Sequence, residues 1–405
     1  MPVLLALAGL GASLAHAADP PVPAPSPTSA APSPTAPPTP DANARIAELE
    51  ARLAAIEAAQ AAERDAAFMR DAEALAAPAG PPPQQASARA SWNAMNPGIT
   101  AFGDLVGQIG VSPDGVMPGS TVYLRSLELQ LRADVDPFAK ADAVIAFEQE
   151  APPLDGGPSE GFGAEPEEVY LDLVALPWRL SARVGKFKAP FGIINRTHPH
   201  DLPWTDVPEA LGLVGDEGYN DTGGTLAWLL PLGRTAVTFT AGAFAGEPFD
   251  PDGERAALAG LGRVEVFTNA GNVDVGLGGS VLQDFGTGDP VTGADLTFRW
   301  RPNQRNSVVV LAEGFRGKEG DLGGYAALQV QPSRSIYLGF REDVLPAAED
   351  TVDLKHSLFL TYYTSEFLRV RVGGGYAPAS QQVDALAQLT FVWGSHPVEP
   401  WWVNR

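Results

Sequence analysis

From about residue 98 onward, apolar and polar side chains alternate along the chain in short segments, with turn-forming residues between the segments. In one segment Leu127, Leu129 and Leu131 interleave with polar neighbours, and in another Val370 and Val372 alternate with charged ones. Strict alternation is the period of a β-strand that has one apolar and one polar face. The sequence therefore predicts about sixteen strands, at residues 100–111, 121–133, 139–150, 168–176, 179–188, 224–230, 235–245, 261–268, 273–283, 291–301, 306–316, 322–331, 335–342, 354–364, 368–376 and 383–393.

The connections between these predicted strands alternate in length. Every second connection is short and rich in turn formers, at residues 134–137, 177–178, 231–234, 269–272, 302–305, 332–334 and 365–367. The intervening connections include the long segments 151–167, 189–223, 246–260 and 343–353, although those near Gly286 and Gly317 are short. Outer-membrane barrels have short periplasmic turns, longer outer loops and an even number of strands. The pattern predicts an all-β transmembrane barrel of about sixteen antiparallel strands.

The alternation also predicts which side chains face the inside of the barrel. A charge facing mid-bilayer lipid costs about 2 to 4 kcal/mol, so the charged face of each strand is expected to line a wet lumen. Opposite charges on that wall either segregate and set an ion preference or pair with each other, and both interpretations stay open. The predicted pore-lining residues are the cations Arg132, Arg183, Arg299, Arg341, Lys355, Arg369 and Arg371 and the anions Glu128, Asp142, Glu148 and Asp172.

The connection at residues 189–223 is predicted to narrow the lumen. It is much longer than a connection needs to be, and such length usually serves a function. A sixteen-stranded barrel is open unless something occupies its interior. The polar residues expected at the constriction are Lys188, Arg196, His198, His200, Asp201 and Asp206.

Three motifs resemble the outer-membrane porin superfamily that includes the phosphate-selective porins. They are Val-Gly-Lys-Phe-Lys-Ala-Pro-Phe-Gly at residues 184–192, Asp-Val-Asp-Pro-Phe at 134–138, and Glu-Val-Tyr-Leu at 168–171. The resemblance covers roughly residues 98 to 396 and implies a trimeric, sixteen-stranded barrel with a loop folded into its lumen. It does not imply phosphate specificity, because the loop carries only Arg196 after Lys188 in place of a lysine-rich constriction. The chain also continues past Trp393, where the family pattern would end.

The first hundred residues have a different organisation. Residues 1–17 are apolar and end in Ala-His-Ala, which indicates a secretory signal peptide, although the usual positive charges before the apolar run are missing. Residues 18–40 are a Pro/Ala-rich linker. Residues 41–77 predict a periplasmic helix. Ile46, Leu49, Leu53 and Ile56 either form a short coiled-coil seam or belong to a solvated Ala-rich helix, and both interpretations stay open. A second linker at 78–97 leads to the barrel at 98–396 and a tail at 397–405.

Composition narrows the function classes. The chain is 45% hydrophobic, but after its first residues no run of about 18 apolar residues remains, which excludes a helical membrane bundle. A formal net charge of -22 argues against nucleic-acid binding. Cysteine is absent, so thiolate chemistry has no residue to use. No cofactor is predicted.

These features together predict an outer-membrane porin that passes small hydrophilic solutes or ions, embedded in outer-membrane lipid with its N-terminal segment in the periplasm. One alternative is a zinc-linked uptake receptor that uses His198 and His200, although His-Pro-His in a Pro-rich loop is more often plain loop surface. Another is a structural barrel that tethers the envelope through residues 41–77. No motif of an enzyme is found, and His356 and Ser357, as strand neighbours, face opposite sides.

Overall fold

The computed structural model describes residues 97–149, 151–157, 161–215, 218–249, 258–286, 289–303, 305–346 and 352–394. The predicted signal peptide, linkers, periplasmic helix and C-terminal tail lie outside the described residues, apart from residue 97. The strands are β1 Gly98–Ser112, β2 Gly115–Val116, β3 Thr121–Asp136, β4 Ala139–Glu148, β5 Gly163–Leu176, β6 Leu180–Lys188, β7 Asn220–Leu232, β8 Thr235–Phe244, β9 Ala259–Ala270, β10 Val273–Asp284, β11 Val291–Trp300, β12 Ser307–Arg316, β13 Leu322–Gln331, β14 Ile336–Pro346, β15 Val352–Ser365, β16 Leu368–Ala377 and β17 Gln382–Gly394.

The strands form one closed antiparallel sheet. Each long strand pairs with its neighbours in the chain, and β17 returns to pair with β1, for example at Asp104 opposite Thr390. β2 has only two residues and lengthens the first hairpin at its tip. The remaining sixteen strands make the barrel wall. The predicted barrel is confirmed, and every predicted strand overlaps a long strand of the structure.

The two ends of the barrel differ as the sequence predicts. The turn between β5 and β6 is the 3-10 turn Pro177–Arg179, where Trp178 and Arg179 have φ of 60° and 62°. Successive residues in this left-handed region give a tight turn whose twist suits a hairpin. At the opposite end, β6 and β7 are joined by residues 189–219. Because β7 begins at Asn220, this loop ends four residues earlier than the predicted 223.

The outer surface of the wall is apolar and the inner surface is largely polar. Leu358 is 66% exposed on the outer face, and Val372 on the neighbouring strand β16 is 47% exposed. Arg369 and Arg371 point inward and are buried, at 0% and 1%. This arrangement suits a barrel with hydrocarbon outside, since inward charges can be paired and hydrated there. Among the described residues, no helix has the length and apolar content to cross a bilayer.

The main hydrophobic cluster lies inside the barrel. Phe191, Ile194 and Trp204 of the long loop pack against Leu311 and Phe315 on the inner wall. The wall in this region is therefore dry, although the alternation pattern had predicted a wet inner face throughout. The difference arises because the loop supplies an apolar surface that buries these inward side chains.

Candidate pore and its constriction loop

The first part of the loop, residues 189–206, folds into the barrel and is largely enclosed there. From residue 191 to residue 206, every side chain is buried except those of Pro199 and Asp206. This burial shows that residues 191–206 are packed against the inner wall and occupy part of the cross-section of the lumen.

Glu313 on β12 holds the first part of the loop. Its carboxylate accepts hydrogen bonds of 2.8 Å from the backbone N–H groups of Ile193 and Ile194. The hydroxyl of Tyr325 donates a third bond, also of 2.8 Å. Gly192 has a φ of +63°, and a Cβ there would lie 2.2 Å from a Glu313 carboxylate oxygen. Glycine at this position therefore lets the loop approach the carboxylate.

A series of arginines on the wall holds the second part of the loop through its backbone carbonyl groups. Arg369 donates to the carbonyl of His200. Arg371 donates to the carbonyls of Leu202, at 2.7 Å, and Trp204, at 2.5 Å. Consecutive carbonyls near the end of the buried stretch are bound in the same way, Thr205 by Arg125 and Asp206 by Arg341. These guanidinium groups serve as loop anchors.

Asp206 closes the anchored stretch with a side-chain ion pair. Its Oδ2 lies 2.8 Å from Nη2 of Arg341 and 3.2 Å from Nζ of Lys355. Burial alone would favour the neutral acid, but the two cations outweigh it and lower the pKa of Asp206 to about 2. The carboxylate therefore stays charged over the physiological pH range.

The two loop histidines meet a group of glutamates from β3 and β5. His198 Nε2 lies 3.1 Å from Glu168 Oε2, and its Nδ1 lies 3.2 Å from Glu167 Oε1. His200 Nδ1 lies 2.9 Å from Glu128 Oε1. The two imidazole rings stack with their centroids 5.4 Å apart. The loop brings together side chains that are far apart in the chain.

Electrostatics at this cluster favour positive charge. Burial opposes a charge on the His198 ring, but the Glu167 and Glu168 carboxylates outweigh it and hold the pKa of His198 well above its usual value. The pKa of His200 is raised in the same manner, against burial, by Glu128 and Asp201. Glu128, His198 and His200 each offer one possible metal-ligand atom, and these three atoms lie within 4.8 Å of one another.

The predicted pore-lining charges near the short-turn end form pairs across neighbouring strands. Arg132 Nη2 lies 2.5 Å from Asp142 Oδ2. Arg183 Nε lies 2.7 Å from Asp172 Oδ1. Several of these side chains remain partly exposed, at 36% for Arg132 and 27% for Asp172. The same end carries Arg299 paired with Asp274 at 2.7 Å.

The remaining predicted site residues have varied surroundings. Arg196 in the loop pairs with Glu265 at 2.5 Å. Lys188 ends β6 and pairs with Glu167 at 2.8 Å, so it belongs to the wall and not to the loop. Asp201 Oδ2 lies 3.6 Å from His200 Nε2. Glu148 offers a carboxylate oxygen within 4.8 Å of those of Glu128 and Glu167.

The sequence analysis missed several residues that hold the loop. Glu313 is a lone acid that directly follows the apolar run at residues 308–312, and that isolation was a usable signal. Asp104, which pairs with Arg125, interrupts β1 in the same way. Glu167 and Glu168 gave no such signal, because their importance depends on a loop that contacts them about 30 residues later.

Sequence comparisons match only part of the chain. No family model matches the chain. An uncharacterized protein of Aquifex aeolicus (strain VF5) is 31% identical over 109 residues, which are 27% of this chain and 21% of that protein. This chain thus matches about a fifth of the length of that relative.

Solved structures give a wider match. The high-pH structure of Pseudomonas putida OprB superposes with a TM-score of 0.54 at 10% identity, covering 74% of this chain and 94% of that one. An anion-selective porin from Comamonas acidovorans gives a TM-score of 0.46 at 12% identity, covering 73% and 100%. The OprB likeness shows a shared fold. The described part of the chain is therefore a sixteen-stranded transmembrane β-barrel with the fold seen in OprB.

Proposed function

We propose that this protein is an outer-membrane porin through which small hydrophilic solutes or ions diffuse passively. The observation that carries the proposal is the opposite chemistry of the two faces of one closed sheet. Leu358 and its outward neighbours are exposed and apolar, whereas inward neighbours such as Arg371 are charged and hydrogen-bonded. A barrel with a polar interior gives hydrophilic solutes a route that avoids hydrocarbon.

The long loop sets the width of the proposed route. Its buried segment at 191–206 occupies the lumen, and the wall arginines hold it by its carbonyl groups. Solutes therefore pass beside a fixed obstacle, and we expect a low size limit. The partly exposed charges near the short turns, such as Arg132 and Asp172, would keep the adjoining vestibule wet.

We expect only a weak ion preference from the charges on the wall. The cations predicted to line the pore are largely matched by acids, as in Arg132 with Asp142 and Arg183 with Asp172. Opposite charges at such short distances cancel most of their field at the distance of a passing ion. Phosphate specificity is not part of the proposal, since residues 191–206 contain no lysine, and their single arginine, Arg196, is paired with Glu265.

The proposal places the barrel in outer-membrane lipid as a homotrimer, with the N-terminal segment in the periplasm and residues 41–77 in contact with a periplasmic or cell-wall partner. The trimer follows from the resemblance to porins. Catalysis is not part of the proposal. Ser357 is buried on the inner face of β15, while the neighbouring His356 lies on the opposite face against Glu342.

A liposome-swelling assay tests the proposal. Purified protein is reconstituted into vesicles, which are diluted into isotonic solutions of neutral sugars of increasing size. We expect vesicles with the protein to swell in the smaller sugars and the rate to fall steeply as sugar size increases. If folded, inserted protein leaves the vesicles as tight as protein-free ones, passive transport is wrong and the tethering alternative is favoured.

A further inference from the structure

The cluster around His198 and His200 has a donor set that charge pairing alone does not explain. Four side chains turn nitrogen or oxygen atoms toward one space between the loop and the wall. His198 Nδ1 lies 3.2 Å from Glu167 Oε1 and 3.8 Å from Glu128 Oε2. His200 Nδ1 lies 2.9 Å from Glu128 Oε1. Imidazole nitrogen and carboxylate oxygen are ligands that zinc and similar divalent ions accept together.

Glu168 fixes the orientation of the His198 ring. Its Oε2 faces His198 Nε2 at 3.1 Å, while its Oε1 accepts a 2.8 Å bond from the backbone N–H of Lys188. A carboxylate in this position holds a proton on Nε2 and leaves Nδ1 as the nitrogen directed at the cluster, where a metal would replace its proton. Metal-binding histidines are held by a second carboxylate in the same manner.

His198 Nδ1 is left without a hydrogen-bond partner although the ring is buried. The residue is 7% exposed, and neither nearby carboxylate meets this nitrogen in hydrogen-bond geometry. Glu167 Oε2 is likewise buried without a hydrogen-bond partner. Buried polar atoms are normally satisfied, and an atom that is not calls for a ligand or an ion. The two atoms lie in the same cluster and belong to residues that are 31 positions apart in sequence.

The carboxylates at the cluster suit a cation. Glu128, Glu148 and Glu167 each offer an oxygen within 4.8 Å of the others, and Lys188 pairs with Glu167 at 2.8 Å. A divalent ion bound here would replace protons on the two histidines and keep positive charge at the centre of the group.

We propose that Glu128, Glu167, His198 and His200 form a binding site for a divalent transition metal of the zinc class. The ion would join the loop, through the two histidines, to β3 and β5 of the wall through the two glutamates. Donor atoms around a tetrahedral zinc lie about 3.4 Å apart for bonds of about 2.1 Å. The ligand atoms of Glu128, His198 and His200 lie within 4.8 Å of one another, so rotation of the glutamate side chains would complete the site.

The nitrogen ligands distinguish this site from one for a hard cation. Calcium and magnesium prefer oxygen ligands throughout. Two imidazoles facing the centre therefore favour zinc, cobalt or nickel. The proposal does not depend on transport, because a metal could bind to a barrel that passes no solute.

The test is a metal titration of the full-length protein, folded in detergent, without a polyhistidine tag and at about pH 8, where metal competes well with protons for imidazole. Cobalt(II) is added while its visible absorption is recorded, and zinc is then added to displace it. We expect one cobalt per chain with the strong absorption of four-coordinate nitrogen and oxygen ligation. Calcium is expected to produce no displacement.

Variants assign the binding to the cluster. His198→Ala, His200→Ala and Glu128→Gln are each expected to lower zinc affinity by at least about 100-fold, and Glu168→Gln by about 10- to 100-fold as a positioning residue. His356→Ala is the matched control, because His356 contacts Glu342 on the other face of the wall. Its zinc affinity is expected to equal that of the wild type. Folding of each variant is checked by the mobility shift of the folded barrel on gels. If a histidine variant does not fold, Glu128→Gln is used in its place to test the site.

The proposal is overturned if the wild type binds no zinc below millimolar concentration. It is equally overturned if folded His198→Ala and His200→Ala bind zinc as tightly as the wild type, since the metal then sits elsewhere. Displacement of cobalt by calcium would show an oxygen site in place of the one proposed.

Discussion

The guanidinium of Arg371 donates a 2.7 Å hydrogen bond to the carbonyl oxygen of Leu202, a residue 169 positions away in the chain. The same guanidinium donates to the carbonyl of Trp204 and to Gln388 on the wall. An inward arginine that the alternation pattern assigns to the pore is thus occupied in holding the loop. The width of the proposed channel depends on such contacts as much as on the number of strands.

Replacing Arg371 with alanine is expected to loosen the loop. The change leaves the carbonyls of Leu202 and Trp204 without this donor, and each buried group left unsatisfied costs about 1 to 3 kcal/mol. We expect a higher and noisier single-channel conductance than in the wild type. Arg305→Ala is the matched control, because Arg305 is exposed in a short turn. Equal conductance in the wild type and both variants would show that the loop is not held by Arg371.

Glu313→Gln is expected to destabilise the first part of the loop. The amide keeps one oxygen but turns an N–H₂ group toward a backbone N–H of Ile193 or Ile194, so at least one hydrogen bond is lost. The expected cost is about 1 to 3 kcal/mol in the free energy of unfolding, measured by urea denaturation in detergent. Glu366→Gln is the matched control, because Glu366 lies exposed in a turn, and it should leave the free energy of unfolding unchanged. If the Glu313→Gln protein is as stable as this control, Glu313 does not anchor the loop.

The Asp206 anchor gives the loop a defined pH dependence. Because the pKa of Asp206 is lowered from 3.8 to about 2, its carboxylate contributes stability above about pH 4, and that contribution is lost as the pH falls toward 2. The shift corresponds to about 2 kcal/mol at neutral pH. Asp206→Asn should therefore be less stable than the wild type at pH 7, and the difference should shrink between about pH 4 and pH 2. A difference that stays constant over that range would contradict the ion-pair account.

We expect a charged side chain at mid-height on the outer face of the wall to destabilise the barrel. Leu358, in the middle of β15, is 66% exposed, and Leu358→Arg should cost about 2 to 4 kcal/mol if this surface faces hydrocarbon. Val116→Arg is the matched control, since Val116 is 71% exposed at the tip of the first outer hairpin. Equilibrium folding into lipid vesicles measures the free energy of unfolding of each variant. Equal tolerance of the two substitutions would mean that Leu358 faces water.

Deleting residues 41–77 is expected to leave the barrel intact. The wall closes through the pairing of β1 with β17, which uses no residue before Gly98. The deletion variant should assemble in the outer membrane and conduct like the full-length chain. Co-sedimentation with peptidoglycan, if the full-length chain shows it, should be lost. A variant that fails to assemble would show that this segment takes part in folding.

The sequence alone was sufficient to predict the strands of the barrel wall. Alternation has a period of two, so a run such as Leu127, Leu129 and Leu131 fixes both the strand and its outward face. The short turns then fix the order of pairing, because consecutive antiparallel strands joined by a few residues must be neighbours. The short strand β2 was not predicted, because two residues are too few to show a period.

The sequence alone was not sufficient to predict how the loop is held inside the lumen. Arg369 and Arg371 were placed on the inner face, but their partners are carbonyl groups that every residue carries and no pattern marks. The cluster at His198 depends in the same way on where the loop comes to rest. The loop has no period to follow, and its path is decided by contacts with strands that are distant in the chain, such as the one bearing Glu313.

Single-channel recording tests the central claim most directly. Purified full-length protein is added to one side of a planar lipid bilayer under a fixed voltage, with Arg371→Ala measured in parallel. We predict discrete current steps whose size is proportional to voltage and rises with salt concentration, and larger steps for Arg371→Ala. If the wild type and Arg371→Ala both insert into the bilayer in folded form and neither gives current steps, the account of a water-filled channel narrowed by the loop is contradicted.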